Sequence, residues 1–402
     1  MRIVIVTNEF VTEDNFDGGI SNHFYRLALA LKKMNYEPII VVSSKENRVF
    51  YYNKIEVHRV KINKEVLNFF KMRTNDFFGN IPLWLYQSWC LNREVKKINK
   101  KKKILLVQYA SYMATSLFRD PKIPSVSLVA SYEPVLREKR GCENPTWSQR
   151  CLEWLEELAL KRVDSLFAPS NVIANIVREK TKRNVRVIET PFMLDIKEYN
   201  EDLYNNRLKA KKYFLFFGSV AYLKGAKTIA NMIYDFLSKN PDFYFVLIGK
   251  DIPYNNKSMV RQIIQKAGIY KNRVIYIKPI PHEKLYPIIR HAYAVVLPSR
   301  IDNLPNACIE AMALKKVVIG TDGTSFEQLI TDKESGFLCK TDDPDDLLRV
   351  MNKVIALTSQ EREQIGENAY ARIQQLDPDI VVNSLVSLYK SVIRKKKLSY
   401  QK

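Results

Sequence analysis

Residues 294–337 read AVVLPSRIDNLPNACIEAMALKKVVIGTDGTSFEQLITDKESGF, and this stretch decides the fold because a buried strand leads through a polar loop into a helix. The apolar run at 295–297 ends at Pro298, and the apolar spacing of 307–314 predicts a helix. The N-terminus of a helix presents free N–H groups and a partial positive charge, so phosphate oxygens are favoured there. The sequence therefore predicts a site for a nucleotide diphosphate at this junction.

Two acidic residues, Asp302 and Glu310, lie on either side of the start of this predicted helix. Glu310 falls about one turn into the helix, where a carboxylate can accept hydrogen bonds from the vicinal hydroxyls of a sugar. Its surroundings, IEAMAL, are largely apolar, and burying a carboxylate there is costly unless it has partners. The alternatives are a carboxylate favoured only by the helix dipole for Glu310 and a turn-forming aspartate for Asp302.

Strand-like and helix-like segments alternate along the whole chain, which predicts parallel sheets covered by helices. The expected strands fall into two series, at 3–7, 39–42, 104–107, 125–129, 163–170 and 185–191, and at 213–217, 243–248, 274–277, 294–297 and 317–320. We therefore expect two doubly wound domains, 1–195 and 196–377. Ligands of such sheets bind outside the carboxyl ends of the strands, so the site is expected in a cleft between the two domains.

Three blocks in the second half resemble the motifs of glycosyltransferase family 4. The segment from Asp302 to Glu310 resembles its paired-glutamate motif, with Asp in place of the first Glu. The segment 217–225, FGSVAYLKG, resembles its diphosphate loop, and 245–249, FVLIG, resembles the following strand and turn. The likeness implies an α/β protein of the GT-B fold, with two Rossmann-like doubly wound domains facing each other across a cleft. It also implies that a C-terminal helix within 378–402 packs back on the N-terminal domain.

The same resemblance implies which residues act. Lys224, Asp302 and Glu310 are expected in the catalytic centre, where the Lys224 ammonium neutralises a leaving diphosphate and Glu310 binds ribose hydroxyls. The donor site is expected to contain Gly18, Gly19, Gly218, Ser219, Lys224, Gly249, Asn303, Leu304, Pro305, Asn306, Ala307 and Glu310. The family usually supplies an arginine where this chain has Ser219, so one of two expected cations is missing. The alternatives are a surface lysine for Lys224 and a flexible turn for Gly18 and Gly19.

Acceptor contacts are expected directly after the strand predicted at 125–129. Many family members carry a histidine at this point, beside the transferred sugar, whereas this chain reads Ala130-Ser131-Tyr132-Glu133. The resemblance therefore makes the Ser131 hydroxyl, Tyr132 and Glu133 candidates for contacts with the sugar or the acceptor.

The composition is that of a globular protein of two domains. The chain has 402 residues, of which 46% are hydrophobic and 27% charged. No apolar run reaches the roughly 18 residues of a spanning helix, and the short apolar N-terminus reads as a first strand, so we expect a cytoplasmic protein. Five scattered cysteines and four histidines show no metal-ligand spacing. We expect no metal and no cofactor besides the nucleoside diphosphate sugar donor.

The formal net charge of +21 indicates an anionic partner. The densest basic runs are KKINKKKK at 96–103 and RKKK at 394–397. They fit a solvated basic face or an anionic membrane surface, to which the protein would bind peripherally on the inner face of the cell membrane. Nucleic acid is not expected, because no helix-turn-helix, zinc-finger or RNA-binding motif accompanies the charge.

The resemblance implies a retaining transfer of a sugar from a nucleoside diphosphate sugar to a hydroxyl of a saccharide. We expect a UDP-sugar first and a GDP-sugar next, and a lipid-linked acceptor in the biosynthesis of cell-surface polysaccharide. The alternatives are a nucleotide-sugar epimerase of the same fold and a non-catalytic partner in polysaccharide assembly. Ser219 and Asp302, which depart from the family pattern, favour the non-catalytic alternative.

Overall fold

A computed structural model of the chain describes residues 2–13, 19–63, 78–130, 132–139, 144–194 and 198–399. The chain divides into two compact units, one formed by Met1–Pro191 with Pro378–Lys402 and the other by Phe192–Asp377. The first unit thus ends at Pro191, a few residues before the boundary expected at 195.

Strands and helices alternate through most of both units. The strands are β1 (Arg2–Thr7), β2 (Glu37–Ser44), β3 (Arg48–Tyr52), β4 (Ile55–Lys61), β5 (Leu106–Ala110), β6 (Ser125–Leu128), β7 (Ser165–Ala168), β8 (Val185–Val187), β9 (Lys212–Phe217), β10 (Phe243–Ile248), β11 (Val274–Ile277), β12 (Ala294–Val296), β13 (Val318–Thr321) and β14 (Phe337–Cys339). The α-helices are α1 (Gly19–Lys33), α2 (Ile81–Lys101), α3 (Glu133–Lys139), α4 (Trp147–Arg162), α5 (Asn171–Thr181), α6 (Asp202–Arg207), α7 (Ala226–Lys239), α8 (Met259–Lys266), α9 (His282–His291), α10 (Asn306–Ala313), α11 (Pro344–Ala356), α12 (Ser359–Gln374) and α13 (Pro378–Ser399).

The sheet of the first unit has the strand order β3-β4-β2-β1-β5-β6-β7-β8. Its strands run parallel except for β3, which pairs antiparallel with β4. The two strands are joined by Asn53 and Lys54, with φ of 46° and 61°. Two consecutive residues with positive φ form the turn that matches the twist of a hairpin. An antiparallel hairpin therefore forms one edge of this sheet, where the sequence predicted parallel strands only.

Helices cover both faces of this sheet. Leu91 of α2 and Leu160 of α4 pack in one core cluster with Val4 of β1. On the other face, Phe24 of α1 lies in a cluster with Tyr389 of α13. The two helices α2 and α4 thus share one face of the sheet, while α1 and α13 share the other.

The C-terminal helix α13 belongs to the first unit, as the resemblance predicts. Its Tyr389 is fully buried, and the hydroxyl donates a hydrogen bond to the side-chain oxygen of Gln108 on β5. The Lys396 ammonium lies 2.8 Å from a carboxylate oxygen of Asp164. The chain therefore leaves the first unit at Pro191 and returns to it at Pro378, where α13 completes the core of that unit.

The sheet of the second unit is parallel throughout, in the order β11-β10-β9-β12-β13-β14. The strand order reverses between β9 and β12, since the chain adds strands on one side of β9 and then on the other. In sheets of this kind ligands bind in the crevice at such a reversal, outside the carboxyl ends of the strands. This point is occupied by the loops that follow Phe217 and Val296.

A histidine between two carboxylates joins β4 of the first sheet to α2. His58 Nδ1 lies 3.0 Å from Glu94 Oε1, and His58 Nε2 lies 2.9 Å from Glu56 Oε1. Burial by itself would lower the pKa of His58, but the hydrogen bonds to Glu94 and Glu56 outweigh it and raise the pKa above its usual 6.5. The hydrogen bond with His58, aided by Lys97, lowers the pKa of Glu94 to about 2.

We expect Glu94→Gln to lower the free energy of unfolding by about 1.5–3 kcal/mol near pH 6, because a hydrogen bond to a charged partner is lost. The raised pKa of His58 gives stability that is complete below 6.5 and is lost as the pH rises through the folded value. The lowered pKa of Glu94 gives stability that is present above 4.5 and is lost as the pH falls towards 2. The difference between wild type and variant should therefore be largest between about pH 4.5 and 6.5.

Urea unfolding of both proteins across this pH range measures the effect. The matched control is Glu179→Gln, which removes an exposed carboxylate from α5 of the same unit. A loss of stability that does not vary with pH would contradict the assignment.

Candidate functional site

The loops after β9 and β12 touch each other at the reversal of the second sheet. Gly225, with a φ of 80°, ends the short 3₁₀ turn Tyr222–Lys224 and directly precedes α7. A Cβ added at Gly225 would lie 1.9 Å from the carbonyl oxygen of Pro298. The loop that carries Lys224 therefore packs directly against the loop that leads to Asp302, and glycine makes this approach possible.

The structure brings Lys224 and Asp302 together. The Lys224 ammonium forms an ion pair with Asp302 Oδ2, and the two side chains are 38% and 14% exposed. Asp302 is fixed in turn, because the Asn303 N–H donates to its Oδ1 at 3.0 Å and Ser325 Oγ donates to its backbone carbonyl at 2.7 Å. Asp302 thus both forms the turn and holds the lysine. The Lys224 ammonium remains partly exposed at the mouth of the loop.

Glu310 lies on α10 with 8% of the residue exposed. Its Oε1 is 3.5 Å from Nε2 of His282, the first residue of α9. The helix begins at Asn306, one residue earlier than predicted, with Pro305 at the N-cap. Proline has no side-chain acceptor for the first N–H groups of a helix, so these groups do not receive a side-chain cap from their own N-cap residue. A carboxylate and a helix N-terminus therefore lie on one element.

The remaining donor-site residues of this loop differ in exposure. Asn306 and Ala307 are partly exposed at the start of α10. Leu304 is 7% exposed and belongs to the core of the second unit. The apolar side chain anchors the loop, and Leu304 can offer a ligand only its backbone.

Two glycines shape the ends of β9 and β10. Gly249 has a φ of 143°, and a Cβ there would lie 1.8 Å from the carbonyl oxygen of Gly218. The Gly218 N–H donates to the Ile248 carbonyl at 2.9 Å, which ties the two strand ends together. A Cβ at Gly218 would meet no atom within 4 Å. The backbone at Gly218 thus borders open space. Its position is fixed by the close packing of Gly249 against it.

An arginine that the sequence analysis missed fixes the Lys224 turn. The Arg300 guanidinium lies 4.3 Å from the centre of the Tyr222 ring and donates to its hydroxyl, and it forms an ion pair of 2.9 Å with Asp342. The Arg300 N–H donates to the Leu223 carbonyl at 2.9 Å. Ser219, at the position where the family usually has an arginine, is exposed. Arg300 is therefore a second cation beside Lys224, although its contacts hold the turn rather than leave it free for a ligand.

Of the acceptor residues expected in the first unit, Tyr132 is buried and Glu133 is partly exposed. Tyr132 is 1% exposed, and its hydroxyl donates to Glu157 at 2.9 Å, so its ring offers no surface to an acceptor. Burial, followed by this hydrogen bond, raises the pKa of Tyr132. Glu133 begins α3 and is partly exposed. Ser131 and Gly18 lie outside the described residues, and Gly19 is the first residue of α1.

A polar cavity of about 590 Å³ opens in the first unit, at the carboxyl ends of β1 and β2. It is lined by Asn8, Glu9, Glu13, Ser43, Ser44, Lys45, Glu46, Arg59, Ile62, Leu83, Gln87, Tyr112 and Met113. The Arg59 guanidinium lies 2.9 Å from Glu13 and 2.7 Å from Glu46. Carboxylates, amides and hydroxyls around one aromatic ring are suited to the hydroxyl groups of a sugar. The sequence analysis did not find this set, because its members come from separate strands, loops and a helix that lie far apart in the sequence.

The described ranges, 2–13, 19–63, 78–130, 132–139, 144–194 and 198–399, contain neither a metal-binding cluster nor a membrane-spanning helix. Within these ranges no cluster of three or more His, Cys, Asp or Glu side chains is arranged to hold a metal ion. In the same residues no helix is long and apolar enough to cross a membrane.

Comparison with known proteins gives the same result for both halves of the chain. Residues 200–372 match the family model described as glycosyl transferases group 1, and residues 17–195 match the model described as glycosyltransferase family 4. An uncharacterized glycosyltransferase of Methanocaldococcus jannaschii is 27% identical over 51% of this chain and 53% of its own length. An uncharacterized 41.2 kDa protein in the cps region of Klebsiella pneumoniae is 24% identical over 61% of this chain and 66% of its own. The chain thus spans about half to two thirds of these curated relatives.

Solved structures of low sequence identity share the fold over nearly the full chain. The sucrose-phosphate synthase of Thermosynechococcus elongatus superposes with a TM-score of 0.76 at 17% identity, covering 98% of this chain and 99% of that one. The Anabaena protein HepE, solved in complex with UDP, gives a TM-score of 0.72 at 14% identity, covering 97% of this chain and 100% of that one.

Proposed function

The chain belongs to the group 1 glycosyltransferases of family 4 and has the GT-B fold, and from this premise we propose that it transfers a sugar from a nucleoside diphosphate sugar to a saccharide hydroxyl. The observation that carries the proposal is the meeting of Lys224, Asp302 and the start of α10 at the reversal of the second sheet. A doubly wound sheet binds its ligand at this point.

The chemistry follows from the charge that develops as the donor breaks. When the bond between the anomeric carbon and the diphosphate oxygen breaks, negative charge grows on the leaving group. The Lys224 ammonium and the N–H groups at the start of α10 stabilise this charge, and they are oriented before the reaction begins. Glu310 accepts hydrogen bonds from the ribose hydroxyls and so fixes the nucleotide.

We assign the transfer as retaining and independent of metal. Asp302 is held by Lys224 and by the Asn303 N–H, which argues against a nucleophilic carboxylate. In the proposed step the acceptor oxygen bonds to the anomeric carbon on the face from which the diphosphate leaves. The acceptor proton passes to an oxygen of the departing phosphate. If this assignment is right, turnover persists in the presence of a chelator.

We place UDP first among the donor nucleotides and GDP second. The support is the UDP complex of a protein with the same fold, the Anabaena protein HepE. UDP and GDP have the same diphosphate and ribose, and both would place them against Lys224, Asp302 and Glu310. These residues therefore do not distinguish between the two nucleotides.

The proposed acceptor is a saccharide on a lipid carrier, used in the assembly of cell-surface polysaccharide. A relative in a cps region supports the pathway class, and the polar cavity of the first unit supports a sugar as ligand. A lipid carrier would keep the protein at the inner face of an anionic membrane, consistent with the net charge of +21.

We expect Glu310→Gln to weaken nucleotide binding by about 10- to 100-fold, because the charge-assisted hydrogen bonds to the ribose are lost. Binding raises the midpoint of thermal unfolding by linkage, so the shift produced by UDP, GDP or ADP at a fixed concentration reports affinity. The measurement compares wild type, Glu310→Gln and the matched control Glu363→Gln, which changes an exposed residue of α12.

The pattern of shifts decides between the two functions. A shift with one nucleotide that is lost only in Glu310→Gln supports the donor site, and it identifies the base. If no nucleotide or sugar nucleotide stabilises the wild type at millimolar concentration, the donor site is not functional. The protein would then be a non-catalytic partner in polysaccharide assembly, the function that Ser219 and Asp302 favour, and not an enzyme.

A further inference from the structure

The two helices α2 and α4 expose an unusual set of side chains. The exposed residues of α2 are Trp89, Arg93, Lys96, Lys97, Lys100 and Lys101, and those of α4 are Trp147, Gln149, Arg150, Trp154, Lys161 and Arg162. All of them except Gln149 are tryptophan, lysine or arginine. We call this set the Trp–basic surface.

The two helices present this surface to the same side of the molecule. Trp84 of α2 and Leu155 of α4 pack in one cluster, so the helices are neighbours. Both helices cover the same face of the first sheet, where Leu91 and Leu160 pack in the same cluster as Val4. Residues opposite the buried side of each helix must therefore point away from the sheet in a common direction.

The acidic residues of the same helices are turned inward. Glu94 of α2 binds His58, and on α4 Glu153 forms an ion pair with Arg137. Glu156 is 1% exposed, and burial raises its pKa to about 8. Glu157 accepts the hydrogen bond of the Tyr132 hydroxyl. Lys97 and Lys161 form ion pairs with Glu94 and Glu157, and α2 and α4 carry no exposed carboxylate that offsets the other lysines and arginines of the surface.

The exposed tryptophans are the stronger indication of an interaction site. The chain has four, and Trp89, Trp147 and Trp154 are 47%, 52% and 61% exposed, whereas Trp84 is 7% exposed. Exposing three large apolar rings on two adjacent helices is unfavourable in water, and such patches mark interaction sites. Indole rings with an apolar body and one N–H donor are preferred at the boundary between lipid chains and water.

We propose that the Trp–basic surface docks on an anionic lipid bilayer, with the three indoles at the level of the headgroups and the lysines and arginines against their phosphates. Basic side chains gain affinity near an anionic leaflet, and apolar area buried in the interface adds to it. The surface extends the proposed function, in which the acceptor is lipid-linked, by giving the face of the protein that meets the membrane.

Basic and aromatic residues together also bind single-stranded nucleic acid, which stacks its bases on free ring faces. The ring of Trp89 already has Arg93 over it at 5.3 Å and Tyr86 stacked beside it at 6.3 Å. The ring of Trp147 is in edge contact with Phe78 at 6.0 Å. These neighbours favour the lipid surface over stacked bases.

Sedimentation with vesicles tests the proposal without donor or acceptor. One set of vesicles is phosphatidylcholine alone, and the other contains phosphatidylglycerol as well. We expect wild type to bind only the anionic set at low salt. Lys96→Gln/Lys100→Gln/Lys101→Gln should lower the partition coefficient by roughly a hundredfold. Trp89→Ser/Trp147→Ser/Trp154→Ser should lower it by roughly tenfold or more.

Matched controls remove the same kinds of side chain from the second unit. Lys239→Gln/Lys266→Gln/Lys271→Gln removes three exposed lysines, and Ile269→Ser removes an exposed apolar residue with 78% exposure. Both controls should bind the anionic vesicles almost as wild type does. Brominated phosphatidylglycerol should quench the tryptophan fluorescence of wild type, while the Trp84 emission of the triple tryptophan variant should not be quenched.

Three results would overturn the proposal. The first is that wild type fails to sediment with anionic vesicles at low salt. The second is that the variants on α2 and α4 bind as well as their controls. The third is that the tryptophans are needed for binding a single-stranded oligonucleotide but not for binding vesicles. The nucleotide-dependent thermal shift, measured on every variant, shows that each is folded and separates a failure of docking from a failure of the donor site.

Discussion

Lys224→Met is expected to lower kcat for sugar transfer by about 10²- to 10³-fold, the loss seen when one preorganised group that stabilises developing charge is removed. The methionine side chain keeps the length and apolar part of the lysine, so the turn at Tyr222–Lys224 should keep its packing. What disappears is the ammonium beside the phosphate that gains charge. The change should appear mainly in kcat, because the charge on the leaving group grows during the reaction.

The position of Lys224 explains why a large effect is expected from one residue. The 3₁₀ turn that carries it is fixed by Arg300 through the Tyr222 ring, and its end at Gly225 packs on Pro298. Asp302 orients the ammonium, so little reorganisation is needed when the diphosphate departs. Steady-state kinetics of wild type, Lys224→Met and Lys224→Arg measure the effect, and the arginine variant should recover part of the activity.

The matched control for this experiment is Lys239→Met, which changes the exposed lysine in the last turn of α7, the helix that begins just after Gly225. Its activity should equal that of wild type. A Lys224→Met enzyme with unchanged kcat would show that the ammonium does not act on the leaving group. The diphosphate would then have to be stabilised elsewhere.

Gly249→Ala is expected to lower the free energy of unfolding by about 3–5 kcal/mol, because overpacking of a core and strained backbone each cost about 1–3 kcal/mol and both occur here. The new methyl group would lie 1.8 Å from the Gly218 carbonyl oxygen, which is backbone and cannot rotate away. The φ of 143° adds strain of its own, since residues with a Cβ rarely adopt it. Relieving the clash requires the ends of β9 and β10 to separate.

Gly323→Ala provides the control, since Gly323 also has a positive φ, of 64°, but a Cβ there would meet no atom within 4 Å. It should cost only about 1–2 kcal/mol, the penalty for left-handed backbone alone. Urea unfolding of the three proteins compares them. Equal losses for the two variants would show that contact with Gly218 does not constrain the chain. A soluble Gly249→Ala protein should also show a smaller thermal shift with nucleotide, since the backbone at Gly218 would move.

The sequence predicted which loops of the second unit meet at one edge of the sheet, but not the contacts between their side chains. The three blocks around Gly218, Gly249 and Asp302 each follow a predicted strand, and the carboxyl ends of parallel strands lie at one edge of a sheet. That rule is enough to bring the blocks to the same edge. It does not give the order of the strands, so the ion pair between Lys224 and Asp302 could not be predicted. The position of Arg300 over Tyr222 depends on the same order.

In the first unit the errors have two different causes. The hairpin of β3 and β4 turns at Asn53 and Lys54, which lack the glycine that usually marks such a turn. The family resemblance makes Tyr132 a candidate for contact with an acceptor, yet its ring lies in the core. A strand end fixes where the backbone goes, but it does not decide whether a large aromatic side chain turns inward or outward.

The α2 half of the Trp–basic surface follows from periodicity in the sequence. Trp89, Arg93, Lys96 and Lys100 recur every three or four residues and so lie on one side of a helix. Lys96 and Lys100 of the basic run at 96–103 therefore lie on the same side of this helix as Trp89 before it. The second half of the surface, on α4, becomes adjacent only through the packing of both helices on the sheet.

The return of α13 to the first unit has a consequence for synthesis on the ribosome. Residues of the second unit end at Asp377, so that unit has its whole sequence before α13 emerges. The first unit, although translated earlier, lacks Val382, Leu385 and Tyr389 of its core until then. Domains generally fold as the nascent chain emerges, the N-terminal one first. In this protein we expect the order to be reversed, so that the nascent first unit exposes an unfinished apolar face of its sheet and is a natural client for chaperones.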